Sequence, residues 1–168
     1  MYEITAVIAE AGLLHEKTAS LEGAAIAVLR QGIALLPMPD ALFTEMIDVL
    51  PEKFRGRISA ENPFYRTMHP ALESLLAGWS SERPIAYVEA DFFGGDGYQS
   101  AVVWSGGRRH WGPVVDDKFD GPRGDWPING ALARLGVQRD EGASDLFDSV
   151  GLGRERSTHD WLPQAHTA

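Results

Sequence analysis

Residues 84–104, PIAYVEADFFGGDGYQSAVVW, constrain this fold more than any other stretch. Val, Tyr, Phe and Trp crowd two arms, and Gly94, Gly95, Asp96 and Gly97 separate them. β-Branched and aromatic residues fit a pleated surface, and a Gly/Asp break between two such runs signals a hairpin. On the first arm Ala86, Val88, Ala90 and Phe92 share one face, and Tyr87, Glu89, Asp91 and Phe93 share the other. The alternation predicts that the first set faces a core and the second forms a polar face. The second arm covers residues 98–104. Ser105, Gly106, Gly107 and Arg108 then turn the chain into a third strand over residues 109–115. A three-stranded antiparallel meander is the expected centre of the protein.

The flanking sequence supplies further elements. Residues 2–9 alternate and read as a strand. Residues 12–23 are polar and mixed, and read as a loop with at most a helical turn. Residues 24–29 and 32–37 suit a hairpin with Gly32 at a bulge or positive φ; a single Ala-rich helix over 21–36 is the rival. Asp40 is a good N-cap for a helix carrying Leu42, Phe43, Met46, Ile47 and Leu50 on one side, limited by Pro51. Residues 52–68 show no clear period. A helix over 69–79 has Leu72, Leu75, Leu76 and Trp79 as its stripe. Residues 116–126 are turn-rich and read as a surface loop. Short helices follow over 127–135 and, capped by Ser144 and ended by Gly151, over 144–150. Ser157 caps a last turn, with Asp160 in the capping-box position, and residues 166–168 should fray. The expected fold is a single α+β domain over residues 1–168. It is an antiparallel sheet of four to six strands built on the meander, with helices packed on one face.

Composition narrows the function. At 168 residues, 44% hydrophobic and 23% charged, the chain is an ordinary globular protein. Its apolar runs are too short to span a membrane, and its first residues lack the basic start of a signal peptide. Without cysteine it has no disulfide framework, thiolate nucleophile or Cys-based zinc site. The cytoplasm is the simplest compartment. Abundant Ala and Gly, with Arg outnumbering Lys, point to a bacterial genome. The net charge of −9 is spread over both halves, with no basic stripe. Nucleic acid and anionic membranes are therefore disfavoured as partners, whereas a basic protein would be steered toward the chain.

Few residues suggest chemistry. Glu89 and Asp91 project from one side of a strand, close to Asp96, and paired carboxylates can hold a cation or divide acid and base roles. The competing reading is a solvated face whose acids prevent edge pairing or meet Arg108 and Arg109. Gly94–Gly97 lead into a strand, whereas a phosphate cradle leads into a helix. Gly78-Trp79-Ser80-Ser81-Glu82 lacks the second glycine of a nucleophile elbow and follows a helix. The histidines His15, His69, His110, His159 and His166 make no metal-binding spacing. Trp104, Trp111 and Trp126 lie on or near the meander, with Tyr87, Phe93 and Tyr98 close by. Rings of this kind are enriched at interfaces, and the alternative is that helices cover them.

The phrases YVEADFFGGDGYQSAVVW, PINGALARLGV and DLFDSVGLGRERSTHDW resemble an uncharacterised group of small bacterial proteins, over residues 84–162. That resemblance implies no activity and no catalytic residue. In size, acidity and α+β character the chain is also similar to bacterial toxin-immunity proteins. The residues read first as a non-enzymatic binding protein, an immunity or inhibitor subunit, without cofactor or metal. Its candidate contacts are Tyr87, Glu89, Asp91, Asp96, Tyr98 and Trp111, and its expected partner is another protein of basic character. The alternative is a small enzyme or ligand-binding domain. Its carboxylate-lined pocket would use Glu89, Asp91 and His110, under a lid formed by residues 116–126. A homodimer formed by edge pairing of the hairpin is a third arrangement.

Overall fold

A computed structural model of the chain describes residues 1–48 and 70–163. The patternless stretch 52–68, the end at Leu50 and Pro51 of the helix expected from Asp40, His69, and the fraying residues 166–168 lie outside the described residues. Six strands form one sheet: β1 (Tyr2–Glu10), β2 (Ala27–Val28), β3 (Ile33–Pro37), β4 (Ile85–Phe93), β5 (Asp96–Ser105) and β6 (Arg108–Asp116). Their order is β2-β3-β1-β4-β5-β6, and every pairing is antiparallel. The predicted meander is its β4-β5-β6 half. The N-terminal strand sits inside the sheet, pairing with β3 on one side and β4 on the other.

The α+β fold is as expected, but the helices do not keep to one face. The helices α1 (Ala11–Thr18), α2 (Asp40–Asp48) and α3 (Pro70–Trp79) cover one side. There Leu13, Leu14, Leu42, Met46, Leu72 and Leu76 meet Val7, Leu36, Tyr87, Val102 and Trp104 of the sheet. The helices α4 (Pro127–Arg134) and α5 (Leu146–Val150) cover the other side. There Ile128, Leu132, Val150 and Trp161 meet Ile4, Ile8, Val88, Ala101 and Val103. Both parities of β4 are thus apolar over Ile85–Val88, and only beyond Val88 does one parity turn acidic. Fully burying a Leu, Ile or Val side chain contributes roughly 1.5–3 kcal/mol, so two such layers stabilise the sheet more than one would.

Residues 27–37 form the predicted hairpin, with Ala27 opposite Leu35. Gln31 and Gly32 take positive φ in its turn, which a continuous helix could not accommodate. The helix α1 takes in residues 12–18 of the stretch read as a loop with at most a helical turn, because Leu13, Leu14 and Thr18 have a core to enter. No side chain caps that helix, so its start leaves no local signature. The cap of α5 is Asp145 rather than Ser144: Asp145 Oδ1 accepts from the Asp148 N–H at 2.8 Å. Ser157 caps the final turn as predicted, its Oγ accepting from the Asp160 N–H at 3.2 Å.

The strand β3 stops pairing with β1 at Ala6, opposite Pro37. The C-terminal segment takes over from there. Arg156 O accepts from the Glu3 N–H at 2.9 Å, and Thr158 Oγ1 accepts from the Thr5 N–H at 2.8 Å. The first residues of β1 thereby keep partners on both sides.

Candidate functional site

The acid-bearing parity of β4 lies on the α1–α3 side of the sheet, past the end of its apolar core. Register brings Thr5, Glu89 and Ser100 into one cross-strand row, and Glu3, Asp91 and Tyr98 into the next. With Asp40 at the start of α2, Glu3, Thr5, Glu89, Asp91 and Tyr98 of these rows line a cleft of about 320 Å³. The cleft is acidic because three separate elements each deliver a carboxylate to it.

Glu89 is the structural centre of this cleft. Alternation alone suggests a solvated carboxylate, yet Glu89 is 2% exposed. Its polarity is met locally: Tyr87 Oη donates to Oε1 at 2.8 Å, and Tyr98 Oη donates to Oε2 at 3.3 Å. A buried carboxylate needs such donors, since leaving it bare would cost several kcal/mol. Neither Arg108 nor Arg109 reaches it. Arg109 pairs instead with Glu73 on α3. The Ser100 hydroxyl, in register with Glu89, is buried and has no hydrogen-bond partner among the described residues. Glu3 is anchored by the C-terminal segment, accepting from the Thr158 hydroxyl at 2.8 Å and its N–H at 3.3 Å.

Toward the hairpin tip this face opens. Asp91 and Tyr98 are half-buried, Asp96 is exposed, and Phe93 is 73% exposed. Phe93 pairs with Asp96 across the hairpin and shares the strand face of Asp91 and Glu89. An exposed aromatic ring, opposite Asp96 and on the strand face of Asp91, marks the tip.

Of the six predicted contact residues, the structure brings Tyr87, Glu89, Asp91 and Tyr98 together, with Asp96 further along the same hairpin. Trp111 is separate. It opposes Val103 on the α4 side, where the Arg134 guanidinium lies 4.1 Å from its ring centroid. Trp104 is buried in the α1–α3 core. The predicted pocket of Glu89, Asp91 and His110 under residues 116–126 does not form. His110 is exposed on β6, and the loop packs Phe119 on Phe92, whose side chain lies on the opposite face from Asp91. Strand alternation separates neighbours 91 and 92 to opposite sides of the sheet, so no loop over one can cover the other.

Sequence reasoning missed Glu3, Thr5 and Asp40. Glu3 and Thr5 share a parity on the first strand, which was a usable signal. That β1 would insert beside β4 was not readable locally. Among the described residues no group of three or more His, Asp or Glu side chains is placed to hold a metal ion. No helix of the described residues is long and apolar enough to cross a membrane.

Compared with known proteins, the chain matches no family, no curated protein and no solved structure.

Proposed function

We propose that the protein is a non-enzymatic binding protein that engages a basic partner protein, as an immunity or inhibitor subunit would, through the tip and acid-lined face of the β4–β5 hairpin. The observation that carries this reading is Phe93, 73% exposed on a strand face it shares with Asp91 and Glu89 and paired with Asp96. A large exposed ring is a natural anchor, and a carboxylate rim selects for Lys and Arg around it. The overall charge of −9 favours encounter with a basic protein before contact is made. Glu89, held by two tyrosine hydroxyls, keeps the floor of the surface rigid, which lowers the ordering cost of binding.

The test is affinity capture from native lysate with three baits: the natural chain, Phe93→Ser, and Asp91→Lys with Asp96→Lys. The reading expects one basic protein held by the natural chain at low salt and released at high salt. Both altered baits should lose it while keeping their circular dichroism spectra. Capture that is indifferent to the three substitutions would place the interface elsewhere.

A further inference from the structure

We infer that a second cavity, on the α4–α5 side of the sheet, binds a small anion carrying one aromatic ring, such as an aryl carboxylate. This site is independent of the hairpin surface, which lies on the opposite face.

Size limits the ligand. The cavity measures about 270 Å³. A cavity of roughly 150 Å³ accommodates benzene, so this one has room for a ring and a carboxylate. It is smaller than the 300–1,000 Å³ that drug-sized ligands and cofactors typically occupy.

The walls are aromatic and braced. Tyr2 and Phe147 meet edge-on with centroids 5.6 Å apart. Phe119 leans on both Phe92, at 5.0 Å, and Trp126, at 4.7 Å. Asp116 Oδ1 accepts from the N–H groups of Lys118 and Phe119, both at 2.9 Å, which pins the loop carrying these rings. The loop is therefore a fixed wall, and its rings are already placed for a planar guest.

The polar groups select an anion. Gln99 is 6% exposed and lines the cavity. Its Oε1 accepts from the Ile128 N–H at 3.2 Å, which fixes the amide orientation. With Oε1 committed to Ile128, the Nε2 end is the one left to face the cavity. The amide oxygen of Asn129 and the carboxylate of Asp145, by contrast, each already receive donors from the protein. Asn129 Oδ1 accepts from the Phe147 N–H at 2.8 Å, and Asp145 accepts from the Asp148 N–H at 2.8 Å and from Asn129 Nδ2 at 3.2 Å. Two guanidiniums, Arg123 and Arg156, complete the lining against the single carboxylate of Asp145. Arg123 pairs with that carboxylate at 3.9 Å, beyond hydrogen-bond distance, and its guanidinium lies 5.3 Å from the Trp126 ring centroid, so its N–H donors are left to meet a guest. Spare donors and excess positive charge, inside a protein of net charge −9, favour a carboxylate over a neutral or cationic ring.

Benzoate is the probe. The full chain, labelled with nitrogen-15, is titrated while the Gln99 side-chain amide and Trp126 indole signals are followed. Saturable shifts of both are expected, with benzyl alcohol, of similar shape but neutral, binding about tenfold more weakly or worse. Arg156→Gln, at an exposed position, should weaken benzoate by about tenfold without changing the fold. Gln99→Glu retains the acceptor for Ile128 and replaces the Nε2 donor with a charge that repels the ligand, so it should abolish the shifts. Asp91→Lys with Asp96→Lys should leave benzoate binding unchanged. Absence of saturable shifts, equal binding of benzyl alcohol, or indifference to Arg156→Gln would overturn the assignment.

Discussion

Glu89 illustrates how one residue can contradict the pattern it belongs to. Period-2 alternation places it on a polar face, yet two tyrosine hydroxyls from β4 and β5 let it go inside. Tyr87 shares its strand face two residues away, but Tyr98 reaches it across the hairpin, a partnership that the sequence alone does not mark. Tyr87→Phe removes the shorter bond from a fully buried site, and a stability loss of about 1–3 kcal/mol is expected in urea unfolding. Tyr98→Phe, half-buried with a 3.3 Å contact, should cost less. Tyr2 offers a second test. Burial raises its phenol above the ordinary value near 10, Glu3 adds to the rise, and Arg156 opposes it. The folded state thus holds the proton more tightly than the unfolded state does. Its contribution is complete below the unfolded pKa of about 10 and is lost as pH rises from there toward the higher folded pKa. In Tyr2→Phe the alkaline decline in stability should be shallower, although the variant starts lower for want of the bond to Leu152 O. Urea midpoints measured from neutral to strongly alkaline pH would show this.

Individual elements were legible wherever their pattern was local. The three meander strands, α2, α3 and α4 follow from alternation or an apolar stripe, whereas the choice between hairpin and helix over 21–36 rests on the positive φ of Gln31 and Gly32, which only the structure supplies. The helix α1 was not legible, since it lacks both a cap and a strong stripe. Gly130, inside α4, looks like a weakness, because glycine in a helix costs about 1 kcal/mol relative to alanine. Its reason lies on another element. A Cβ at this position would sit 2.8 Å from the Trp111 ring of β6. Gly130→Ala should therefore destabilise the protein, while the same substitution in a Trp111→Ala background should stabilise it by up to about 1 kcal/mol. A double-mutant cycle in urea gives the sign of that coupling, and additive effects would show that the ring yields.

At the scale of the whole molecule, the sequence conveyed the sheet but not its coverage. The α1–α3 layer and the α4–α5 layer are each readable as amphipathic helices, but nothing in a helix states which side of a sheet it will take. The apolar parity reversal at Val88 and Glu89 is the one local trace of two cores. It reads as a polar face unless Ile85 and Tyr87 are counted as buried. Closure of β1 is also a property of the whole chain. Thr158 donates to Glu3 and accepts from Thr5, so Thr158→Ala leaves two polar groups short of a partner. A loss of about 1–3 kcal/mol is expected, with faster amide exchange at Thr5, and unaltered exchange there would count against the clasp.

That clasp has a consequence for synthesis. An inner strand of the sheet leaves the ribosome well before the segment that completes its pairing, which follows 153 positions later. At ~5–20 residues per second, roughly 8–30 s separate the two. Throughout that interval the nascent chain carries an apolar strand without its full set of neighbours, and a holding chaperone has a window in which to act. Completion of the sheet thus waits on translation of residues 156–158 rather than on that of the strand itself.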